Sequence, residues 1–374
     1  MKKKTYLLLV TMLAISLLMV GCGQQTTSTT QQVPTIKVGY IFVDHHASLM
    51  VAAKKGEAFK DGGTYLKPVV DKEKYELYDK GKKVANVDLI VTKSGSEAAS
   101  LFAQKHIDLA LLSITAAMTG IDSGMAVKVL APLQTEGLAL VFPKDNPVSG
   151  WEGFEKYLAA QTEPVKIGYH SPTSAPLMVF EGALKQNNIP YTRNPNDLNA
   201  KVLLVDLKDT PNLIPALTSK QVDGWVGPSP HPQVAEKTGV GKIAFDLREL
   251  PPHGAWHDAP CCAIAGRTEY LSSNQEAVTS FLKVMAHAGE WSNKNRDEYS
   301  GIVAQWVGIP ADAARQSTIV FLPYPTDTWM KNLGVYQDLL NDMNKYKGPM
   351  KGKKLAEVKD LMFDFSYIEK AKMK

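Results

Sequence analysis

The sequence predicts an α/β fold in two lobes with a ligand cleft between them. From residue 35, short β-rich runs alternate with helical stretches, the pattern of mostly parallel strands joined by crossover helices. The alternation starts again after a Pro- and Gly-rich stretch at 143–150, and from 268 onward apolar residues recur at helical spacing of three and four. A chain of 374 residues has room for two domains of ordinary size. Two modules in series, each followed by an extended segment, imply that the chain crosses between lobes twice, near 138–143 and near 259–263. The expected division is then lobe 1 at 36–141 plus 262–374 and lobe 2 at 142–261.

Taken in order, 36–43 reads as the first strand and 47–59 as its helix. The charged segment 60–83 reads as a surface excursion, ending in a turn at 79–82 that lets 75–78 pair back with 84–91. A helix follows at 96–105, a strand at 109–112, a short helix at 115–122, a strand at 127–133 and an apolar run at 138–142. In the second module the strands are 165–169, 202–206, 222–226 and 242–245, with helices at 174–186, 213–219 and 230–237. Three prolines break 250–260, then 261–265 is again an apolar strand. Helices are expected at 275–291, 299–307, 311–315 and 328–344.

The N-terminus carries Lys2, Lys3 and Lys4 followed by an apolar run at 6–20, the pattern of a signal peptide over 1–21. That run ends in Leu18, Met19, Val20, Gly21 and Cys22, which resembles a bacterial lipobox with Cys22 as the lipidated residue; an ordinary secretory signal is the alternative. Residues 22–35, rich in Gln, Thr and Ser, then serve as a tether. Cleavage would leave 39 basic residues against 38 acidic ones, so the formal charge of +4 gives no case for nucleic acid. Remaining basic runs such as Lys82-Lys83 lack interleaved aromatics and read as solvated surface. Three cysteines cannot all pair within the chain, which excludes a disulfide scaffold.

Four segments resemble a known family. They are 36–40 with 45–56 behind it, 106–110, 165–177, and 213–217 with 221–232. In this order and spacing the chain is similar to the type II periplasmic binding proteins of the nitrate, sulfonate, taurine and thiamine-precursor group. The resemblance implies a two-lobed, non-enzymatic solute-binding component of an ABC importer. Its partners would be a small-molecule ligand, permease and ATPase subunits, and the membrane through the lipid anchor. It implies a monomer without a cofactor. The segment at 60–83, the region around Cys261 and the His at position 106, where the family usually has Gly, depart from the pattern. The enzyme alternative is a synthase of the thiamine-pyrimidine type, which shares the fold. No G-x-S-x-G, P-loop or H-E-x-x-H motif occurs, which leaves hydrolase, NTPase and zincin readings without footing.

Ligands in open α/β sheets sit beyond the carboxyl ends of strands, so the expected binding residues come from the loops there. From the first lobe they are Tyr40, Asp44, His45, His46, Ser113, Thr115, Gln134 and Glu136; from the second, His170, Ser171, Thr173 and Ser174. Ser174 is equally placed to act as a helix N-cap. Trp225 ends an apolar strand, a position open to stacking on a ligand or to a place in the core. Few arginines lie nearby, which favours a neutral, zwitterionic or singly charged organic solute over a dianion. The segment 251–262 is unusual: His253, His257 and Cys261 repeat every four residues and Cys262 follows. Imidazole and thiolate suit zinc, copper or iron, and His45 and His46 are candidates to approach this segment across the cleft, so a metal or metal-chelate site is one reading and free thiols lining the cleft another. Two expectations weigh against the metal: prolines prevent a helix from presenting these residues together, and adjacent cysteines in a strand point to opposite faces. A disulfide between neighbours would be strained.

Overall fold

The structure, a computed structural model, describes residues 33–372. The expected signal peptide, Cys22 and most of the tether lie outside the described residues. No described helix is long and apolar enough to cross a membrane.

Two sheets organise the chain. The first has the order β14-β6-β13-β5-β1-β4-β3-β2. Its centre is β1 (Thr35–Tyr40), parallel to β4 (Lys82–Val91) and β5 (Leu109–Ser113). Helices α1 (Ala47–Lys55), α2 (Gly95–Ala103) and α3 (Ile114–Asp122) connect these strands, and β6 (Val127–Thr135) extends the sheet. The excursion at 60–83 is more ordered than its charge implies. The expected hairpin forms, with β3 (Lys74–Asp79) antiparallel to β4. An additional strand, β2 (Thr64–Val70), pairs with β3 at the sheet edge. Pro68 and Lys67 hid that strand in the sequence, yet an edge strand tolerates a proline because one row of its N–H groups needs no partner.

The second sheet has the order β12-β7-β11-β8-β10-β9. Its strands are β7 (Leu138–Pro143), β8 (Val165–Tyr169), β9 (Tyr191–Thr192), β10 (Val202–Asp206), β11 (Gly224–Pro228) and β12 (Gly241–Asp246). Its helices are α4 (Gly150–Ala160), α5 (Ala175–Gln186), α6 (Leu213–Thr218) and α7 (His231–Lys237). Helix α4 has no counterpart in the sequence reading; it buries Trp151, Phe154 and Leu158, three residues on one helical face.

Each sheet contains a strand that runs against its neighbours because it arrives from the other sheet. Strand β7 leaves β6 through only Glu136 and Gly137 and lies antiparallel to β11 and β12. Residues 138–141 therefore belong with the second sheet, a few residues earlier than expected. Strand β13 (Pro260–Arg267) returns after 250–259 and lies antiparallel to β5 and β6.

The C-terminal part supplies α8 (Thr268–Ser273), α9 (Gln275–Lys294), α10 (Arg296–Val307), α11 (Ala311–Arg315), β14 (Val320–Phe321), α12 (Asp327–Asp342), α13 (Leu355–Met362) and α14 (Ser366–Lys372). These elements do not serve the first sheet alone. Lys345, just beyond α12, bonds the buried Glu181 of α5 at 2.9 and 3.0 Å. Tyr336 of α12 packs edge-on against Trp256 in the second crossing, with ring centres 5.8 Å apart.

Candidate functional site

The carboxyl ends of β1, β4 and β5 face those of β8, β10 and β11 across a cavity of about 40 Å³. His45, His46, Ser113, Cys261 and Cys262 line it from the first sheet; His170, Thr173, Ser174 and Thr210 line it from the second. Hydroxyl bonds bring the two sides together. Thr115 Oγ1 donates to the Thr173 carbonyl at 2.7 Å, and Ser96 Oγ lies 3.1 Å from Thr173 Oγ1 and 3.3 Å from Ser171 Oγ. The close approach of α2 to α3 needs Gly95, where a Cβ would fall 2.6 Å from that of Ala116.

On the first-sheet side, the one-turn segment Asp44–His46 leads into α1 and turns both histidines inward. His45 Nε2 donates to the Gly137 carbonyl at 3.0 Å, which directs Nδ1 toward the start of β13. There Cys261 Sγ is 3.3 Å and Cys262 Sγ 3.9 Å from Nδ1, and the two sulfurs are 3.9 Å apart. Strict alternation would send these thiols to opposite faces. The pairing of β13 with β6, however, slips between Pro260 and Cys262 and again between Cys262 and Ala263. Such a bulge re-aims a side chain, and here it turns both thiols to His45.

The cluster is dry: His45 is 1% exposed, Cys261 2% and Cys262 6%. Burial alone pushes the Cys261 thiol up, but Cys262, His45 and Gln134 together hold it well below the usual thiol value. Cys262 goes the other way, raised by its contact with Cys261 and by burial. Burial lowers His45, and the Cys261 charge and Asp44 more than reverse that, so its pKa is raised. Gln134 abuts His45 Nδ1 through its amide while its Oε1 has no partner. With Nε2–H given to Gly137, His45 Nδ1 carries the lone pair, so the Gln134 amide N–H donates to it and Oε1 is the atom left over.

His46 behaves differently. Its Nδ1 accepts the Ile41 N–H at 2.9 Å, and burial followed by the nearby His45 pushes its pKa down to about 3, so it is a neutral fixture of the loop. Across the cavity, burial followed by the neighbouring His231 and His45 lowers His170 to about 3. His170 Nδ1 has no partner.

The NMT1-like family is matched over residues 29–308, three quarters of the chain. The chain belongs to the NMT1-like family. An uncharacterized protein of Methanocaldococcus jannaschii is 42% identical over 144 residues, which are 38% of this chain and 97% of that protein. Among solved structures, the zinc-bound ligand-binding component of an ABC-type import system from Staphylococcus aureus has a TM-score of 0.67 at 18% identity, covering 90% of this chain and 99% of that one. The periplasmic nitrate-binding protein of Synechocystis has a TM-score of 0.64 at 16% identity, covering 91% and 88%. The alkanesulfonate-binding protein of Xanthomonas axonopodis, bound to MOPS, has a TM-score of 0.60 at 12% identity, covering 84% and 95%. These likenesses establish the α/β two-lobed periplasmic-binding-protein fold.

In this NMT1-like chain the loop residues named from sequence divide into three groups. His45, His46, Ser113, His170, Thr173, Ser174 and Cys261 line the cavity. Thr115, Ser171 and Gln134 stand behind it: Thr115 and Ser171 join the two sides, and Gln134 backs His45. Ser174 occupies the N-cap position of α5, but its hydroxyl bonds the Ser171 carbonyl at 2.8 Å instead of a helix N–H.

The remaining residues serve the fold. Tyr40 is fully buried, its ring tilted against Phe42, and its hydroxyl accepts the Trp306 indole N–H at 3.2 Å. Trp225 is fully buried in the small apolar cluster with Val141, Leu213 and Ala235. Asp44 is buried beside His45, raised by that burial and without a side-chain partner. Glu136 ties the two crossings together, bonding Arg248 Nη1 at 2.8 Å and accepting the Asp258 N–H at 2.9 Å. His257 is half-exposed, 3.7 Å from Glu249, and lines no part of the cavity. The four-residue repeat of His253, His257 and Cys261 therefore has no spatial meaning. Ser96, Thr210 and the apolar walls Ile41 and Val43 carried no chemical signal in the sequence.

Proposed function

We propose that this protein is the extracytoplasmic solute-binding component of an ABC importer. It takes a small solute between its two lobes and presents it to a permease. The observation that carries this reading is the meeting of strand ends from two sheets, held by Thr115 and Ser96 against Thr173, over a buried cavity lined from both sides. A solute that contacts both faces stabilises the closed arrangement by its differential affinity for it. Membership of the NMT1-like family and the shared fold of the nitrate- and alkanesulfonate-binding proteins support the same function. The lipobox pattern ending at Cys22 supports a lipid anchor at the outer face of the cell membrane, where the protein would work as a monomer with permease and ATPase subunits.

The test is a thermal-shift screen of small organic solutes and metal salts, followed by small-angle scattering of any hit. Saturating solute raises the melting temperature and reduces the radius of gyration. A protein that melts and scatters identically with every solute is not a solute-binding component.

A further inference from the structure

We infer that His45, Cys261 and Cys262 form a three-ligand site for a soft divalent cation of the zinc type, with the fourth position open to the cleft. This rests on the solute-binding reading and names the class of solute that the cavity takes.

The geometry is that of a coordination sphere. Zinc bonds of about 2.3 Å to sulfur and about 2.0 to 2.1 Å to nitrogen, at tetrahedral angles, put sulfurs about 3.8 Å apart and sulfur about 3.6 Å from nitrogen. The corresponding separations here are 3.9 Å between the sulfurs and 3.3 and 3.9 Å from sulfur to Nδ1. No other His, Cys, Asp or Glu cluster among the described residues meets the same spacing. A disulfide does not account for the pair, since both cysteines are free and their sulfurs stand far beyond bonding distance.

The surroundings are those of a ligand set. His45 donates Nε2–H to the Gly137 carbonyl, which fixes the tautomer with its Nδ1 lone pair toward the thiols. Two thiolates and one neutral imidazole cancel a 2+ charge, which limits the cost of holding the ion in a buried site. Soft sulfur donors also select against calcium and magnesium, which require oxygen.

A second observation is independent of the three ligands. His170, from the opposite sheet, lines the same cavity with a buried Nδ1 that has no partner. Three protein ligands with one vacant position is the arrangement that leaves room for water or a small donor, and about 40 Å³ holds a group of that size.

The experiment uses the full chain with Cys22→Ala, untagged and stripped by a chelator under reducing conditions, so that only Cys261 and Cys262 titrate as thiols. Zinc(II) alone is added, then cobalt(II) as a spectroscopic probe. The expected result is one ion per chain by elemental analysis, two thiols protected from a disulfide reagent, and a thiolate-to-cobalt charge-transfer band. Cys262→Ser and His45→Gln each weaken zinc binding by at least about 100-fold, more than the loss of a supporting contact alone. His257→Gln leaves it unchanged. Far-UV circular dichroism confirms that each variant is folded. Substoichiometric metal, thiols that stay reactive, or unchanged affinity in folded Cys262→Ser overturns the inference. If zinc fails while an organic solute still raises the melting temperature, the metal site falls and the solute-binding function stands; if neither acts, both fall.

Discussion

The two faces of the cleft are built from the same strand-end geometry and offer opposite chemistry. The first-sheet face is soft: an imidazole and two thiols, clamped by the Gly137 carbonyl and a bulge in β13. The second-sheet face is harder: the hydroxyls of Thr173 and Ser174 beside His170 at the start of α5, with Thr173 bonded across to the first. A binding protein that must both capture and release gains from this inequality. In the proposed site, one face would hold the solute and the other would add the modest increment that favours closure.

That contrast makes the first face intolerant of change and the second adjustable. The largest effect should come from Gly137→Val. Gly137 has φ +75°, and a Cβ there would meet Ile319 and stand 2.8 Å from His45 Nε2. A β-branched residue in that conformation should cost about 2 to 4 kcal/mol, read as a lowered denaturation midpoint. An unchanged midpoint would show that the first crossing is not a rigid support for His45.

The next effect concerns acid stability and the second face. Folding holds His170 at about 3 against an ordinary 6.5. Between those values the unfolded chain takes up a proton that the folded chain refuses, so stability declines as pH falls. The slope is about 1.4 kcal/mol per pH unit for one group, or about 2 kcal/mol between pH 6.5 and 5. His170→Asn should flatten the curve of urea midpoint against pH by that amount. Parallel curves for the two proteins would mean that His170 is not buried as described.

Smaller still is Thr115→Val, which removes the hydroxyl bonded to the Thr173 carbonyl while keeping the shape. One hydrogen bond contributes about 1 kcal/mol to closure, so affinity for any bound solute should fall about fivefold by calorimetry. A loss of 100-fold would place Thr115 among the direct ligands. At the bottom of the scale, His257→Gln should alter neither solute affinity nor melting, because the half-exposed ring lies outside the cavity, 3.7 Å from Glu249.

Much of the scaffold was legible in the residues. Alternation and helical spacing located β1, β5, β8, β10 and most of the helices, since burial against one face imposes those periods on any sequence. The elements that escaped were ones whose local signals conflict. Strand β2 contains Pro68 and survives because it lies at an edge; α4 follows a Pro- and Gly-rich stretch that reads as a loop. In the site, strand-end position identified His45, His170, Thr173 and Ser174. The same criterion admitted Tyr40 and Trp225, which point into cores, because position along a strand does not specify the face.

The sequence by itself determined the two-module α/β architecture, the double crossing and the family to which the chain is similar, all of which depend on patterns repeated over many residues. Only the tertiary structure decided which histidine belongs with the cysteines. His257, four residues from Cys261, is on the surface, while His45, 216 residues away, is 3.3 Å from its sulfur. It also decided that neighbouring thiols share a face, against the alternation of a regular strand. The physical reason is the same in both cases: a bulge and a strand register are set by pairing with β6 and β5, and pairing partners far apart in the chain leave no trace in local spacing.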